Sequence, residues 1–333
     1  MNVSAGSQEK SNAALSSVAA SVALTIFKIV VGISTGSLGI LAEAAHSGLD
    51  LVAALVTFVA VRLSGRPADR KHTYGHGKIE NLSALFETLL LLATSAWIIY
   101  EAVNRLVNNR VEVEVTAWAF IVMLVSIVID ANRSRMLYRT AQKYNSQALE
   151  ADALHFSTDI WSSTVVILGL IGVTISERVA GLAWLKQADA VAAIGVALIV
   201  IYVSNNLGKR TVAGLLDTAP DGLAEEIRQM AAGMPGVLDC HAVRVRSAGP
   251  ETFIDAHILV DPAETIAAVH QLTVEIEAAV HKIVPGADVT VHPEPFGLHE
   301  REPAAAAALE PDAAADAAVE SGSILAGPAQ ENA

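Results

Sequence analysis

The chain places histidine and aspartate four residues apart twice, in two separate apolar stretches. His46 and Asp50 sit within LGILAEAAHSGLDLVAALVTFVAV, and His155 and Asp159 within LEADALHFSTDIWSSTVVILG. A four-residue offset puts both side chains of each pair on one helix face. Two such helices can converge on one point and offer two imidazoles and two carboxylates, a four-coordinate set suited to Zn²⁺. An aspartate deep in hydrocarbon costs about 2.5–3.5 kcal/mol on insertion scales, so each carboxylate needs a partner. A lone intramembrane histidine serves equally well as a helix-to-helix hydrogen-bonding group. The repetition of the pattern, with no Lys or Arg expected deep in the spans as counter-ion, favours a metal site. Glu43 and Asp152 are weaker candidates, each nearer a span end where water can reach it.

Two further clusters carry ligand chemistry. Asp69, His72 and His76 fall in DRKHTYGHGK, where Gly75 and Gly77 let the chain turn tightly; a solvated polar loop is the equal alternative. Later in the chain stand His241, His257, His270 and His292, with Glu294 two residues after the last. In FIDAHILV, Ile254, Ala256, Ile258 and Val260 share one strand face, so Asp255 and His257 point the other way. His292 and Glu294 likewise share a face opposite Val289 and Val291. Exposed histidines are common singly; this many on faces away from the core predicts a surface metal site. A single cysteine, Cys240, excludes an intrachain disulfide and a thiolate cluster, leaving His and carboxylate as ligands.

The elements that must position these residues follow from composition. At 53% hydrophobic and 17% charged over 333 residues, the chain takes the bilayer as its solvent. Apolar stretches long enough to cross a hydrocarbon core of about 30 Å run over 12–33, 38–63, 79–106, 115–138, 149–175 and 185–207. The second and fourth connections carry most of the Lys and Arg, which places both termini in the cytoplasm. The first residues lack a signal-peptide pattern, so the first span is expected to be retained.

Beyond the spans, an amphipathic helix over 220–234 precedes strands over 241–246 and 252–260, a helix over 264–283 and a strand over 288–292. That αββαβ order predicts a small α+β domain with helices on one face of a sheet. The expected divisions are a cytosolic N-terminus (1–11), a six-helix transmembrane domain (12–209), a cytosolic domain (210–297) and an acidic, Ala-rich disordered tail (298–333). A net charge of −13, much of it in the tail, offers nothing to nucleic acid.

The motifs GSLGILAEAAHSGLD, HTYGHGKIENLSALFE and EADALHFSTDIWSS resemble the cation diffusion facilitators, and within them the bacterial ferrous-iron and zinc efflux type. The resemblance covers residues 12–296. It implies a homodimer in the bacterial inner membrane, a metallochaperone-like (ferredoxin-like) cytosolic domain, and alternating access coupled to proton antiport. By position, His46, Asp50, His155 and Asp159 resemble the transport site. Asp69, His72 and His76 resemble an interfacial loop site. His241, His257, His270 and His292 resemble a cytosolic dimer-interface site, with Glu294 where some members have Asp. Lys78 and Asp217 fall where some members form a salt-bridge interlock near the dimer interface. Some bacterial members carry Asp in place of His46; two His and two Asp resembles the zinc-preferring pattern more than the manganese one. The tail has no counterpart in the short bacterial members.

The expected function is therefore Zn²⁺ efflux in exchange for protons, with Fe²⁺, Co²⁺, Cd²⁺ or Mn²⁺ able to use the same ligand types. An intramembrane metalloenzyme would need an open coordination position and typically a His-Glu-x-x-His helix, and the chain has no such motif. A carrier of organic solutes would need an apolar pocket that these motifs do not offer. A membrane-anchored metal sensor or assembly protein stays open as the alternative, although it would need fewer spans.

Overall fold

The computed structural model describes residues 3–108, 117–178 and 185–297. The six expected helices all form: α1 (Val3–Thr35), α2 (Leu38–Ser64), α3 (Lys78–Asn108), α4 (Ala117–Tyr144), α5 (Gln147–Arg178) and α6 (Leu185–Leu215). The last runs two turns past the expected end at residue 207. Among the described residues, four of them are long and apolar enough to cross a membrane: Gly6–Thr35, Glu43–Ser64, Lys78–Asn104 and Ala190–Leu215. Helices α4 and α5 carry charges along their length, among them Asp130, Arg133, Asp152 and Asp159.

Helix boundaries follow local chemistry. Gly36 takes φ 67°, a conformation open to glycine, and reverses the chain between α1 and α2. Ser37 caps α2, its hydroxyl accepting the Ile40 N–H at 3.4 Å. At the α4–α5 turn Asn145 takes φ 49°, and Ser146 Oγ accepts from Leu149 N at 3.5 Å. The most extensive pairings are α1 with α2, α3 with α6 and α4 with α5. One core cluster joins Ala13, Ala14, Val61, Leu137, Ala141, Ala148, Leu149, Ala153 and Phe156. Its alanines let helix backbones approach closely, the usual means of packing where lipid is as apolar as the side chains.

The remaining elements are α7 (Leu223–Ala232), β1 (Asp239–Ala248), β2 (Glu251–Val260), α8 (Ile266–Ile283) and β3 (Asp288–Pro295), the αββαβ order expected. The sheet order is β1-β2-β3. Leu238 N–H donates to Leu259 C=O, start against end, so β1 and β2 are antiparallel. Phe296 N–H donates to Val260 C=O, end against end, so β3 runs parallel to β2 with α8 as the crossover. Ile254, Ala256, Ile258 and Val260 are buried as the alternation predicts. β1 departs from it: Cys240 and Val245 are both buried though five residues apart. Ala242, at φ 50°, absorbs the extra residue as a bulge directly after His241.

The chain divides into two compact units. One comprises Met1–Leu223, Val245–Ile254 and Val284–Asp288; the other comprises Ala224–Arg244, Asp255–Ile283 and, among the described residues, the stretch from Val289. The tail expected to be disordered (298–333) lies outside the described residues.

Candidate metal centres

The first centre lies among the helices. α2 and α5 bring Asp50, His155 and Asp159 together, with one ligand atom of each within 4.8 Å of the others. His155 Nε2 stands 3.2 Å from Asp50 Oδ1 and 3.8 Å from Asp159 Oδ2. His155 Nδ1 is buried, with no hydrogen-bond partner among the described residues. His46 is on the same face of α2, 3.9 Å from Asp50 Oδ1, but its side chain is 45% exposed and stands outside the convergent three. Three acceptor-bearing groups on two helices can hold a divalent cation.

The second centre is the connection between α2 and α3. Asp69 Oδ1 accepts from the backbone N–H of Lys71 and of His72, both at 2.7 Å, which folds the loop back on itself. His72 Nδ1 is 3.3 Å from Asp69 Oδ1, and His76 Nε2 is 3.4 Å from Asp69 Oδ2. The His72 and His76 rings stand 4.4 Å apart. The backbone N–H of His72, then that of Lys71, hold the Asp69 carboxyl down to about 2. Gly75 turns at φ 78°. The same loop meets the β1–β2 turn within the first unit. Arg246 lies 3.9 Å over the Tyr74 ring and 4.9 Å over Phe253, and Gly249 N–H donates to Asn81 Oδ1 at 2.8 Å. Gly77 and Gly249 touch backbone to backbone: a Cβ on Gly77 would fall 2.1 Å from the Ala248 carbonyl oxygen.

The third centre lies on the sheet of the second unit. His257 Nδ1 is 2.8 Å from Glu294 Oε1, and His241 Nε2 is 3.2 Å from Glu294 Oε2. His292 Nε2 is 3.8 Å from Glu294 Oε1, its ring 5.0 Å from that of His257. Three adjacent strands thus present their ligands on one face, the bulge at Ala242 following His241 directly. Glu294 is buried, not a surface group as its strand register alone suggested. His270, on α8, is exposed and does not join this cluster. The neighbouring Cys240 is a core residue, and burial pushes its thiol above its ordinary range, which disfavours the thiolate that binds metal.

Lys78 Nζ, at the start of α3, is 2.9 Å from Asp217 and donates to Leu215 C=O at 3.3 Å, tying α3 to the end of α6. Asp217 adopts φ 57°, tolerated by aspartate.

The expectation that no Lys or Arg lies deep in the spans is wrong. Lys28 is buried in α1, 2.8 Å from Ser47 Oγ and 3.2 Å from Glu43 Oε2. Arg133 is buried in α4, donating to Asp130 at 3.2 Å, Ser17 at 3.0 Å and Ser21 at 2.6 Å. Ser17 in turn donates to Asp152 at 3.1 Å, and Asp152 is fully buried instead of solvated. Lys10 pairs with Glu80 at 2.6 Å, with Ser64 and Ser146 completing that buried knot. Thr57 donates to the buried Glu87 at 2.8 Å. The available signal was plain for Lys28, a lone cation inside an apolar run; Arg133 and Glu80 sit at positions that also suit a helix end.

Residues 14–216 match the cation efflux transmembrane domain, and residues 219–296 match the cation efflux protein, cytoplasmic domain. Over 288 residues the chain is 31% identical to a cation-efflux pump FieF of Pectobacterium atrosepticum, covering 85% of this chain and 92% of that protein. It is 32% identical over 297 residues to one of Escherichia coli O127:H6, covering 88% and 95%. A solved structure of CzrB in its Zn form matches 25% of this chain and 94% of its own, at 32% identity and a TM-score of 0.23.

Proposed function

This chain belongs to the cation efflux family, and on that premise we propose that it exports Zn²⁺ from the bacterial cytoplasm across the inner membrane in exchange for protons. It is a multi-pass cation efflux transporter with a cytoplasmic C-terminal domain, and not an enzyme. The observation that carries the finer reading is the convergence of Asp50, His155 and Asp159 from two helices of the transmembrane domain.

In this reading Asp50, His155 and Asp159, joined by His46, take Zn²⁺ from the cytoplasmic side while the imidazoles are neutral and the carboxylates ionised. Rocking of the helices then exposes the ion outward. Protons drive release, because a ligand atom cannot hold a proton and the metal through the same lone pair; histidine is the side chain whose ordinary range best suits that exchange. The loop centre at Asp69, His72 and His76 and the sheet centre at His241, His257, His292 and Glu294 bind regulatory Zn²⁺. Two copies of the chain pair through the cytoplasmic domain, and metal there biases the rocking equilibrium if it prefers one arrangement. Lys78 and Asp217 serve as an interlock between α3 and α6. The mixed His and carboxylate set supports Zn²⁺, with Fe²⁺ next and Mn²⁺, a harder ion, less suited.

The test is metal uptake into proteoliposomes under an imposed pH gradient, comparing Zn²⁺, Fe²⁺ and Mn²⁺ for the native chain and Asp159→Ala. Gradient-driven Zn²⁺ flux that Asp159→Ala abolishes is the expected result. Metal binding without flux would instead make the protein a membrane-anchored sensor.

A further inference from the structure

One charged group close to the proposed transport site has no part in that mechanism. Lys28 is 4% exposed, and its ammonium is held between Ser47 Oγ and Glu43 Oε2. Glu43, Ser47 and Asp50 follow one another at offsets of four and three residues, so they line one face of α2. Lys28 therefore faces the same stripe of α2 that carries Asp50. Along α2, Glu43 lies about 10 Å nearer the α1–α2 turn than Asp50, at 1.5 Å per residue. With the N-terminus cytoplasmic, α1 runs outward, and that turn is on the outer side. The Lys28–Glu43 pair thus stands between the site and the outer mouth.

Joining two helices does not require an ammonium. A hydroxyl or an apolar side chain would do so without the desolvation penalty of a buried charge. What a cation adds here is repulsion toward a divalent ion on Asp50, His155 and Asp159. A carrier must hold its ion strongly enough to take it up and weakly enough to let it leave. We propose that Lys28 is a residue that sets this balance: a tethered positive charge on the exit side that keeps the site's affinity for divalent ions low, with Glu43 restraining it from entering the site. The inference rests on the transport site proposed above.

The experiment measures Zn²⁺ binding by calorimetry and Zn²⁺ flux in proteoliposomes for the full-length chain, with Asp159→Ala identifying the binding step that belongs to the membrane site. Lys28→Gln is expected to tighten that step roughly tenfold and to lower the maximal flux, so that KM and maximal rate fall together. Lys28→Arg restores both toward native values. Glu43→Gln, which frees the ammonium, weakens binding. A well-folded Lys28→Gln protein with unchanged or weaker affinity overturns the inference and leaves the transport site standing. Should Lys28→Gln fail to fold, unchanged or tighter binding in Glu43→Gln overturns it. An Asp159→Ala chain that binds all of its Zn²⁺ like the native one overturns the site itself.

Discussion

The guanidinium of Arg133 lies 3.5 Å above the ring of Phe156, and that ring stands at 89° to the imidazole of His155 with centroids 5.4 Å apart. One buried cation thus reaches α1 through Ser17 and Ser21, α4 through Asp130, and α5 through an aromatic face beside a proposed ligand.

Arg133→Met removes all of these partners and leaves Asp130 uncompensated. Thermal unfolding in detergent is expected to show a loss of about 3–5 kcal/mol, the scale for breaking a buried ion pair. Arg133→Lys keeps charge but neither the planar stack nor the fork, and should fall between. A native-like melting curve for Arg133→Met would show the clasp to be ornamental.

Glu294→Gln preserves shape at the sheet centre while removing the charge that His241 and His257 face at 3.2 Å and 2.8 Å. Zn²⁺ binding at that centre should weaken by about tenfold or more. His270→Ala, altering an exposed residue outside the cluster, should leave the affinity within a single protomer unchanged. Competition titration with a zinc chelator separates the two variants.

How much of this was legible beforehand depends on how local each signal is. The His-x-x-x-Asp repeat is a property of one helix at a time, so period and type alone pointed to α2 and α5. The turn of Asp69 onto Lys71 and His72 is likewise local. Partners far apart in sequence were not legible. Lys10 meets Glu80 across 70 residues and Arg133 meets Ser17 across 116, and nothing within either segment marks the other. Glu294 is legible as a candidate, but its burial depends on three strands stacking their ligands, one of them just before a bulge that alternation in His241–Arg246 could not reveal. His46 shows the converse: right face and spacing, yet a side chain left half in the open.

Asp69→Asn and Asp69→Ala separate folding of the loop from ligation. Asparagine's Oδ1 can still accept the two backbone N–H groups, so hydrogen exchange at Lys71 and His72 should stay slow in Asp69→Asn and quicken in Asp69→Ala. Metal binding to the loop should fall in both. In the native chain the depressed carboxyl makes its contribution to loop order present above the ordinary carboxylate range near 4. That contribution is lost as pH falls through about 2. Exchange at these amides that already quickened near pH 5 would contradict this.

Gly77→Ala should destabilise the chain by about 1–3 kcal/mol, since the new methyl would meet the backbone of Ala248, which cannot rotate aside. Faster exchange at Gly249, whose N–H is held by Asn81, and easier proteolysis of the β1–β2 turn should accompany it. Gly195→Ala, with open space around the added carbon, is the matched control.

The backbone contact between Gly77 and Gly249 sets a rule for building chimeras. The two family domains meet in sequence between residues 216 and 219, which looks like the natural place to graft one relative's cytoplasmic part onto another's membrane part. A graft cut there imports a foreign β1–β2 turn against the resident loop, so the donor must bring glycine at the position of 249 and a turn of the same length. Without both, the misfit falls on the segment that carries His72 and His76, and a hybrid made to change metal preference would lose its loop centre for reasons unrelated to the metal.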